Sequence, residues 1–123
     1  MAISQAPGKV IVVDASAGYR RTLRNLVGEL GIDAVAEAST AREVMTALVA
    51  EPQPRCALIS WELPEGGTAA ADALWLLAPG TPVLWYTGRV DVEPVEDLQA
   101  RTILLRKPLR SWDISSALGR LER

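Results

Sequence analysis

The chain has 123 residues, of which 49% are apolar and 23% charged, which is the size and composition of one globular domain with a buried core. Its formal net charge of −2 provides no basic field for nucleic acid, and no apolar run reaches the roughly 18 residues that a membrane span needs. Histidine is absent, which excludes Ser-His and Cys-His catalytic pairs, and the single cysteine, Cys56, fits a reducing cytoplasm.

Five short apolar runs predict the strands of a parallel sheet, in a domain of residues 9–123 that follows a loose lead-in at 1–8. The runs do not alternate with polar residues, which is typical of strands buried on both faces. The second run, from Asp33 to Ala38, is mostly alanine and suits an edge position. The other four runs lie at 10–13, 57–59, 83–86 and 103–106.

Segments with helical periodicity separate these runs. Ser16 is predicted to cap the first helix and Gly31 to end it. The fourth segment is the least regular, because only Val95 and Leu98 follow Pro94 at helical spacing, and we expect a short helix there. Strand and helix thus alternate five times, which predicts an α/β fold: a three-layer αβα sandwich with a five-stranded parallel sheet.

A polar side chain follows each of four apolar runs. Asp14, Ser60, Thr87 and Lys107 stand at the ends of the first, third, fourth and fifth runs. Right-handed crossovers place the carboxyl ends of all parallel strands at one edge, where open α/β sheets build their sites. The sequence therefore predicts one site made of these four residues.

The motifs around these positions resemble those of the receiver domain of two-component response regulators, the CheY-like family. The resemblance covers nearly the whole chain and implies the flavodoxin-like strand order 2-1-3-4-5. In this family a histidine kinase phosphorylates an aspartate at the end of the third strand, beside a magnesium ion held by carboxylates. The family also implies a cis peptide between Lys107 and Pro108. The motifs are Val-Val-Asp-Ala-Ser at 12–16, Ser-Trp-Glu-Leu-Pro at 60–64, Thr-Gly at 87–88 and Lys-Pro-Leu at 107–109.

The positions that carry the family's chemistry are altered in this chain. Ser60 takes the place of the phosphoacceptor aspartate, and a hydroxyl cannot form an acyl phosphate. The acidic pair after the first strand is reduced to Asp14 and Ala15, so a second metal carboxylate is missing. Because magnesium binds through carboxylates and dehydrates reluctantly, we expect no cofactor and weak or absent magnesium binding. Glu62 is a candidate substitute ligand, although a solvated carboxylate is the simpler interpretation.

Lys107 and Asp14 are expected to pair directly, since neither an acceptor nor a metal separates them. Thr87 and Ser60 would complete a neutral hydrogen-bond cluster around the pair. The family's aromatic switch position, three residues before the lysine, is Leu104 in this chain.

Three residues are candidates for a partner surface: Leu104, Arg110 and Trp112. Trp112 opens the last helix beside Arg110 and off the apolar stripe, and an exposed indole beside an arginine is common at interface hot spots. The resemblance implies a dimer or partner surface formed by the fourth helix, fifth strand and fifth helix. It also implies a partner that is a histidine kinase, phosphotransfer or regulator component, and the Arg-Lys-Pro at 106–108 is similar to receivers of hybrid histidine kinases.

Together these features favour a cytoplasmic, non-enzymatic pseudo-receiver of phosphorelay signalling that binds a protein partner without being phosphorylated. Neither nucleic acid nor a membrane is an expected partner. Two alternatives stay open. One is a phosphorylatable receiver that uses Glu62 with magnesium, and the other is a flavodoxin-like module that holds a small anion through Lys107 and Thr87.

Overall fold

The computed structural model describes residues 9–32, 34–50 and 52–122. The expected lead-in at 1–8 and Asp33, the first residue of the predicted second strand, lie outside the described residues. The strands are β1 (Val10–Val13), β2 (Val35–Ala38), β3 (Cys56–Ser60), β4 (Val83–Thr87), β5 (Val95–Asp97) and β6 (Thr102–Arg106). The helices are α1 (Ala17–Glu29), α2 (Ala41–Ala50), α3 (Gly67–Leu77) and α4 (Ser111–Leu121).

The strands form one sheet in the order β2-β1-β3-β4-β6-β5, and every pair except β5 and β6 is parallel. Because β6 is the predicted fifth strand, the first five positions reproduce the order 2-1-3-4-5. The α/β fold predicted from the sequence is therefore confirmed, and β2 lies at the expected edge.

The predicted fourth helix is wrong, and with it the count of five strands. Val95–Asp97 form the short strand β5, which pairs antiparallel with β6 and adds a sixth strand. Pro94 stands directly before β5, where its missing N–H costs no ladder hydrogen bond. Arg106 fixes the preceding loop, because its Nη2 donates to the carbonyl oxygens of Val90 and Val92 at 3.2 and 2.7 Å. The predicted dimer surface consequently lacks its helix and has an edge strand instead.

Two hydrophobic clusters cover the two faces of the sheet, as a sheet buried on both sides requires. Alternate residues of β1 divide between the clusters, with Val10 and Val12 on one face and Ile11 and Val13 on the other. On the first face α1 and α4 contribute Leu23, Val27, Ile114, Ala117, Leu118 and Leu121. On the second face α2 and α3 contribute Val44, Leu48, Ala70, Ala71 and Leu74.

The predicted ends of α1 are confirmed. The Ser16 hydroxyl accepts a hydrogen bond from the Tyr19 N–H at 3.1 Å, and Gly31 follows the helix with a φ of 85°. The expected cis peptide between Lys107 and Pro108 is also present. Among the described residues, no helix has the length and apolar character to cross a membrane.

Candidate functional site at the carboxyl edge of the sheet

The carboxyl ends of four strands bring the predicted site residues to one edge. Asp14 follows β1, Ser60 and Thr87 are the last residues of β3 and β4, and Lys107 follows β6. Backbone hydrogen bonds continue past the strand ends, with the Asp14 N–H donating to Ala38 at 3.0 Å and the Lys107 N–H to Thr87 at 2.7 Å. Asp14, Ser60 and Thr87 are only 6%, 7% and 0% exposed, so each of these polar groups needs a hydrogen-bond partner.

Asp14 finds its partners within the chain. The Tyr86 hydroxyl donates to Asp14 Oδ2 at 2.7 Å, and the Ser16 N–H donates to Oδ1 at 2.8 Å. Tyr86 is fully buried, and burial together with the nearby carboxylate raises the pKa of Tyr86 far above its usual range. Both carboxylate oxygens of Asp14 are thus hydrogen-bonded, and the phenol remains a neutral donor.

Lys107 does not pair with Asp14 as expected; among the described residues, no ion pair joins the two. Its ammonium group lies over the ring of Tyr19, 3.8 Å from the centroid, and 5.5 Å from the centroid of Tyr86. The two tyrosine rings are themselves 5.3 Å apart. The ammonium group is therefore held by the electron-rich faces of the two aromatic rings. The pKa of Tyr19 is raised, mainly by burial and further by the charge of Asp14.

Glu62 differs from the simple expectation of a solvated carboxylate, although the residue as a whole is exposed. The Thr87 hydroxyl donates to Glu62 Oε2 at 2.6 Å, and the Gly88 N–H donates to Oε1 at 3.2 Å. The Glu62 N–H in turn donates to the Ser60 Oγ at 3.2 Å. The hydroxyls of Ser60 and Thr87 therefore bind Glu62 and do not form the expected cluster around Lys107.

The magnesium ion that the resemblance implies does not fit the side chains at this edge. Asp14 is the only carboxylate at the end of β1, because Ala15 has no ligand atom and Ser60 is neutral. Glu62 is bound to Thr87, on the side of the edge formed by β3 and β4. No group of three or more Asp, Glu, His or Cys side chains suited to a metal ion occurs among the described residues.

An indole cluster supports the loop between β3 and α3. Trp85 of β4 donates from Nε1 to the Gly67 carbonyl oxygen at 3.0 Å and packs edge-on against Trp61, with the ring centroids 5.3 Å apart. A Cβ on Gly67 would lie 2.9 Å from the Ser60 carbonyl oxygen. Only glycine fits this close approach, which fixes the start of α3 against the end of β3.

Two of the three predicted partner-surface residues lie on the surface. Trp112 is 62% exposed and Arg110 is also exposed, at the start of α4. Leu104 is 3% exposed and pairs with both Trp85 and Val95 inside the sheet, so it cannot contact a partner directly.

The roles of Tyr19 and Tyr86 at the site were missed by sequence reasoning. A signal was available, because a buried tyrosine usually finds a partner for its hydroxyl. The candidates for that partner were the polar residues at the neighbouring strand ends, Asp14 among them.

Comparisons with solved structures identify this fold. No protein-family model and no curated protein matches the chain. It is similar to a response regulator receiver protein from Sinorhizobium medicae WSM419, at 18% identity and a TM-score of 0.75, over 96% of each chain. It is similar to a CheY-like receiver domain protein from Methanospirillum hungatei JF-1, at 21% identity and a TM-score of 0.71, over 95% of this chain and 98% of that one. A response regulator from Burkholderia pseudomallei with a phosphorylated aspartic acid, calcium ion and citrate is 23% identical, with a TM-score of 0.73, over 91% of this chain and 66% of that one. The chain thus has the α/β fold of CheY-like receiver domains.

Proposed function

We propose that the chain is a receiver-like module of two-component signal transduction that binds a protein partner without accepting a phosphoryl group. One observation carries the proposal. At the carboxyl edge, β3 ends in the hydroxyl of Ser60, and the carboxylate of Asp14 is bound by the Tyr86 hydroxyl and the Ser16 N–H. The edge therefore has no carboxylate at the end of β3, and the one after β1 already accepts two hydrogen bonds.

The chemistry of Ser60 supports this reading. A serine hydroxyl is a weak nucleophile unless a neighbouring base removes its proton, and the chain contains no histidine. The Ser60 Oγ accepts a hydrogen bond from the Glu62 N–H, which lowers the electron density available for attack. The carboxylate of Glu62 is directed to Thr87 and Gly88.

The small number of carboxylates also supports the proposal. A magnesium ion at Asp14 would have one carboxylate after β1, whose oxygens are shared with the Tyr86 hydroxyl and the Ser16 N–H. Because magnesium binds through carboxylates and dehydrates reluctantly, we expect one shared carboxylate to hold it weakly.

The proposed partner is a histidine kinase, a phosphotransfer protein or another regulator component. Its docking site would be the β5–α4 surface, defined here as Val95, Leu98, Arg110 and Trp112. Val95 is 60% exposed, Leu98 and Trp112 also present apolar side chains, and Arg110 supplies a charge. Arg120 of α4 and Glu96 of β5 form an ion pair at 3.0 Å between the two elements. Exposed aromatic and arginine side chains are typical of protein interfaces.

A titration of tryptophan fluorescence with magnesium and beryllofluoride tests the proposal. Trp61 follows Ser60 directly and packs on Trp85, so occupation of the edge would change the emission. The wild-type chain should give no saturable change, whereas the variant Ala15→Asp/Ser60→Asp, in which both carboxylates are restored, should gain one.

A saturable, magnesium-dependent response of the wild-type chain would contradict the proposal and favour a phosphorylatable receiver that uses Glu62. A saturable response to anions without magnesium would favour a small-anion module instead.

A further inference from the structure

We infer that Glu62 is a latch: its carboxylate ties the loop after β3 to the end of β4 and thereby holds in one conformation the start of the loop at 88–94, which leads to the β5–α4 surface. The inference deepens the proposed function and rests on it, because a surface positioned by the chain's own carboxylate needs no phosphoryl group. Glu62 is a positioning residue in this scheme, since it acts through Thr87 and Gly88.

Both oxygens of the Glu62 carboxylate are hydrogen-bonded within the chain. Each oxygen of Glu62 accepts one hydrogen bond, Oε2 from the Thr87 hydroxyl at 2.6 Å and Oε1 from the Gly88 N–H at 3.2 Å. Thr87 is fully buried, so the orientation of its hydroxyl is set by this contact and not by water. Hydrogen bonds to a charged acceptor are roughly twice as strong as neutral ones.

The contact continues into the loop at 88–94. The Thr87 Oγ1 that donates to Glu62 also accepts a hydrogen bond from the Arg89 N–H at 3.1 Å. Further along the loop, Arg106 Nη2 donates to the carbonyl oxygens of Val90 and Val92. The first part of the loop is therefore held from the β3 side through Glu62, and the second part from β6 through Arg106.

The other end of the latch is also fixed. The Glu62 N–H donates to the Ser60 Oγ at 3.2 Å, and Trp61 packs on Trp85, which binds the Gly67 carbonyl oxygen. The backbone that carries Glu62 is consequently anchored on both β3 and β4. The latch joins two anchored segments, which favours a single arrangement of the edge.

The exchange rate of the Gly88 N–H with solvent tests the latch directly. Gly88 is exposed, and the partner of its N–H is the Glu62 carboxylate. In Glu62→Ala the exchange of the Gly88 and Arg89 N–H groups, followed by NMR, should accelerate about tenfold, while that of Val12 in β1 stays unchanged. Glu62→Gln, which keeps the size of the side chain, should give a smaller acceleration.

Two controls separate the latch from a general effect of charge or stability. Glu29→Ala removes the same charge from the exposed end of α1 and should leave the Gly88 exchange rate at the wild-type value. Sodium acetate added to Glu62→Ala should slow the Gly88 exchange again, because acetate supplies the missing carboxylate, whereas sodium chloride at equal ionic strength should not.

An unchanged Gly88 exchange rate in Glu62→Ala, or an equal effect of acetate and chloride, would overturn the latch. Either result would leave the proposed function standing, since that depends on how the wild-type chain responds to magnesium and beryllofluoride. A magnesium-dependent response of the wild-type chain with a normal latch would overturn the proposed function instead.

Discussion

The carboxyl edge and the β5–α4 surface differ in what their side chains contact. At the edge, Asp14 and Thr87 are buried and hydrogen-bonded within the chain, and Glu62 is bound there as well. At the β5–α4 surface, Val95 and Trp112 expose most of their apolar area to solvent. Polar groups that already bind one another gain little free energy from exchanging those bonds for bonds to a ligand, while uncovered apolar groups gain free energy from any partner that covers them.

Charged groups at a buried edge must find partners within the fold or be solvated, because unpaired buried charges are costly. In this chain the Tyr86 hydroxyl donates to Asp14, the Tyr19 ring contacts the Lys107 ammonium group, and the Thr87 hydroxyl donates to Glu62. The polar groups at the carboxyl edge are thereby satisfied within the fold.

Removing the Tyr86 hydroxyl should lower the unfolding free energy more than any other change at the carboxyl edge. Tyr86→Phe leaves one oxygen of the buried Asp14 carboxylate without its donor, and we expect unfolding to require about 3 kcal/mol less free energy. Urea unfolding at neutral pH measures this change. Tyr19→Phe is the matched control, because its hydroxyl has no hydrogen bond among the described residues, and its effect should stay within about 0.5 kcal/mol. Equal effects of the two variants would contradict the role assigned to Tyr86.

Crowding the edge from the α3 side should have the next largest effect. In Gly67→Ala the new Cβ meets the Ser60 carbonyl oxygen at 2.9 Å and the Trp61 Cα at 3.0 Å, and backbone atoms cannot turn away as a side chain can. We expect a loss of about 2 kcal/mol in unfolding free energy. Gly119→Ala in α4 meets no atom within 4 Å and should instead stabilise by about 0.5–1 kcal/mol, measured in the same urea series. A neutral Gly67→Ala would show that the close approach is not rigid.

The pH dependence of stability tests the burial of the start of β3, at the opposite end of the strand from Ser60. Cys56, at the start of β3, is fully buried, and burial raises the pKa of its thiol from 9.0 to about 12. Above pH 9 the unfolded chain therefore binds fewer protons than the folded one, so stability falls as the pH rises towards 12. The slope from this group is about 1.4 kcal/mol per pH unit.

A comparison with Cys56→Ala isolates this effect from the other groups that titrate in alkali. The unfolding free energy of the wild-type chain should approach that of the variant as the pH rises above 9, because only the wild type contains the thiol. A difference between the two that does not change with pH would contradict the burial of Cys56.

The smallest effect on stability is expected at the β5–α4 surface. Trp112→Ala removes a side chain that is 62% exposed and should change the unfolding free energy by no more than about 0.5 kcal/mol. Leu118→Ala, on the buried face of the same helix, should cost about 2–5 kcal/mol. If thermal unfolding shows similar losses for both variants, Trp112 packs on the core and is not available to a partner.

Most of the fold could be predicted from the sequence because the apolar runs, and the helical periodicity between them, identify most of the strands and helices. Each of the four apolar runs that end in Asp14, Ser60, Thr87 and Lys107 became a parallel strand of the sheet. The segment after Pro94 was wrongly predicted to be a helix, because it has few apolar residues at either helical or strand spacing. Its conformation is decided by pairing with β6 and by the contacts of Arg106, which local propensity does not include.

The positions of the site residues were predictable, but their contacts were not. Parallel strands bring their carboxyl ends together whatever the side chains are, so Asp14 and Lys107 had to lie at one edge. Which group binds Asp14 depends on the face to which Tyr86 points and on the rotamer of Lys107. These follow from packing against Tyr19 on α1, an interaction between elements far apart in the sequence.

Phosphorylation by a small donor is the most direct test of the proposal that the carboxyl edge does not accept a phosphoryl group. The wild-type chain, incubated with acetyl phosphate and magnesium, should keep its mass in intact-protein mass spectrometry, with Ser60→Asp treated alongside to show whether the missing acceptor alone is responsible. A phosphoryl group found on Asp14, Ser60 or Glu62 of the wild-type chain would contradict a signalling module that works without phosphorylation.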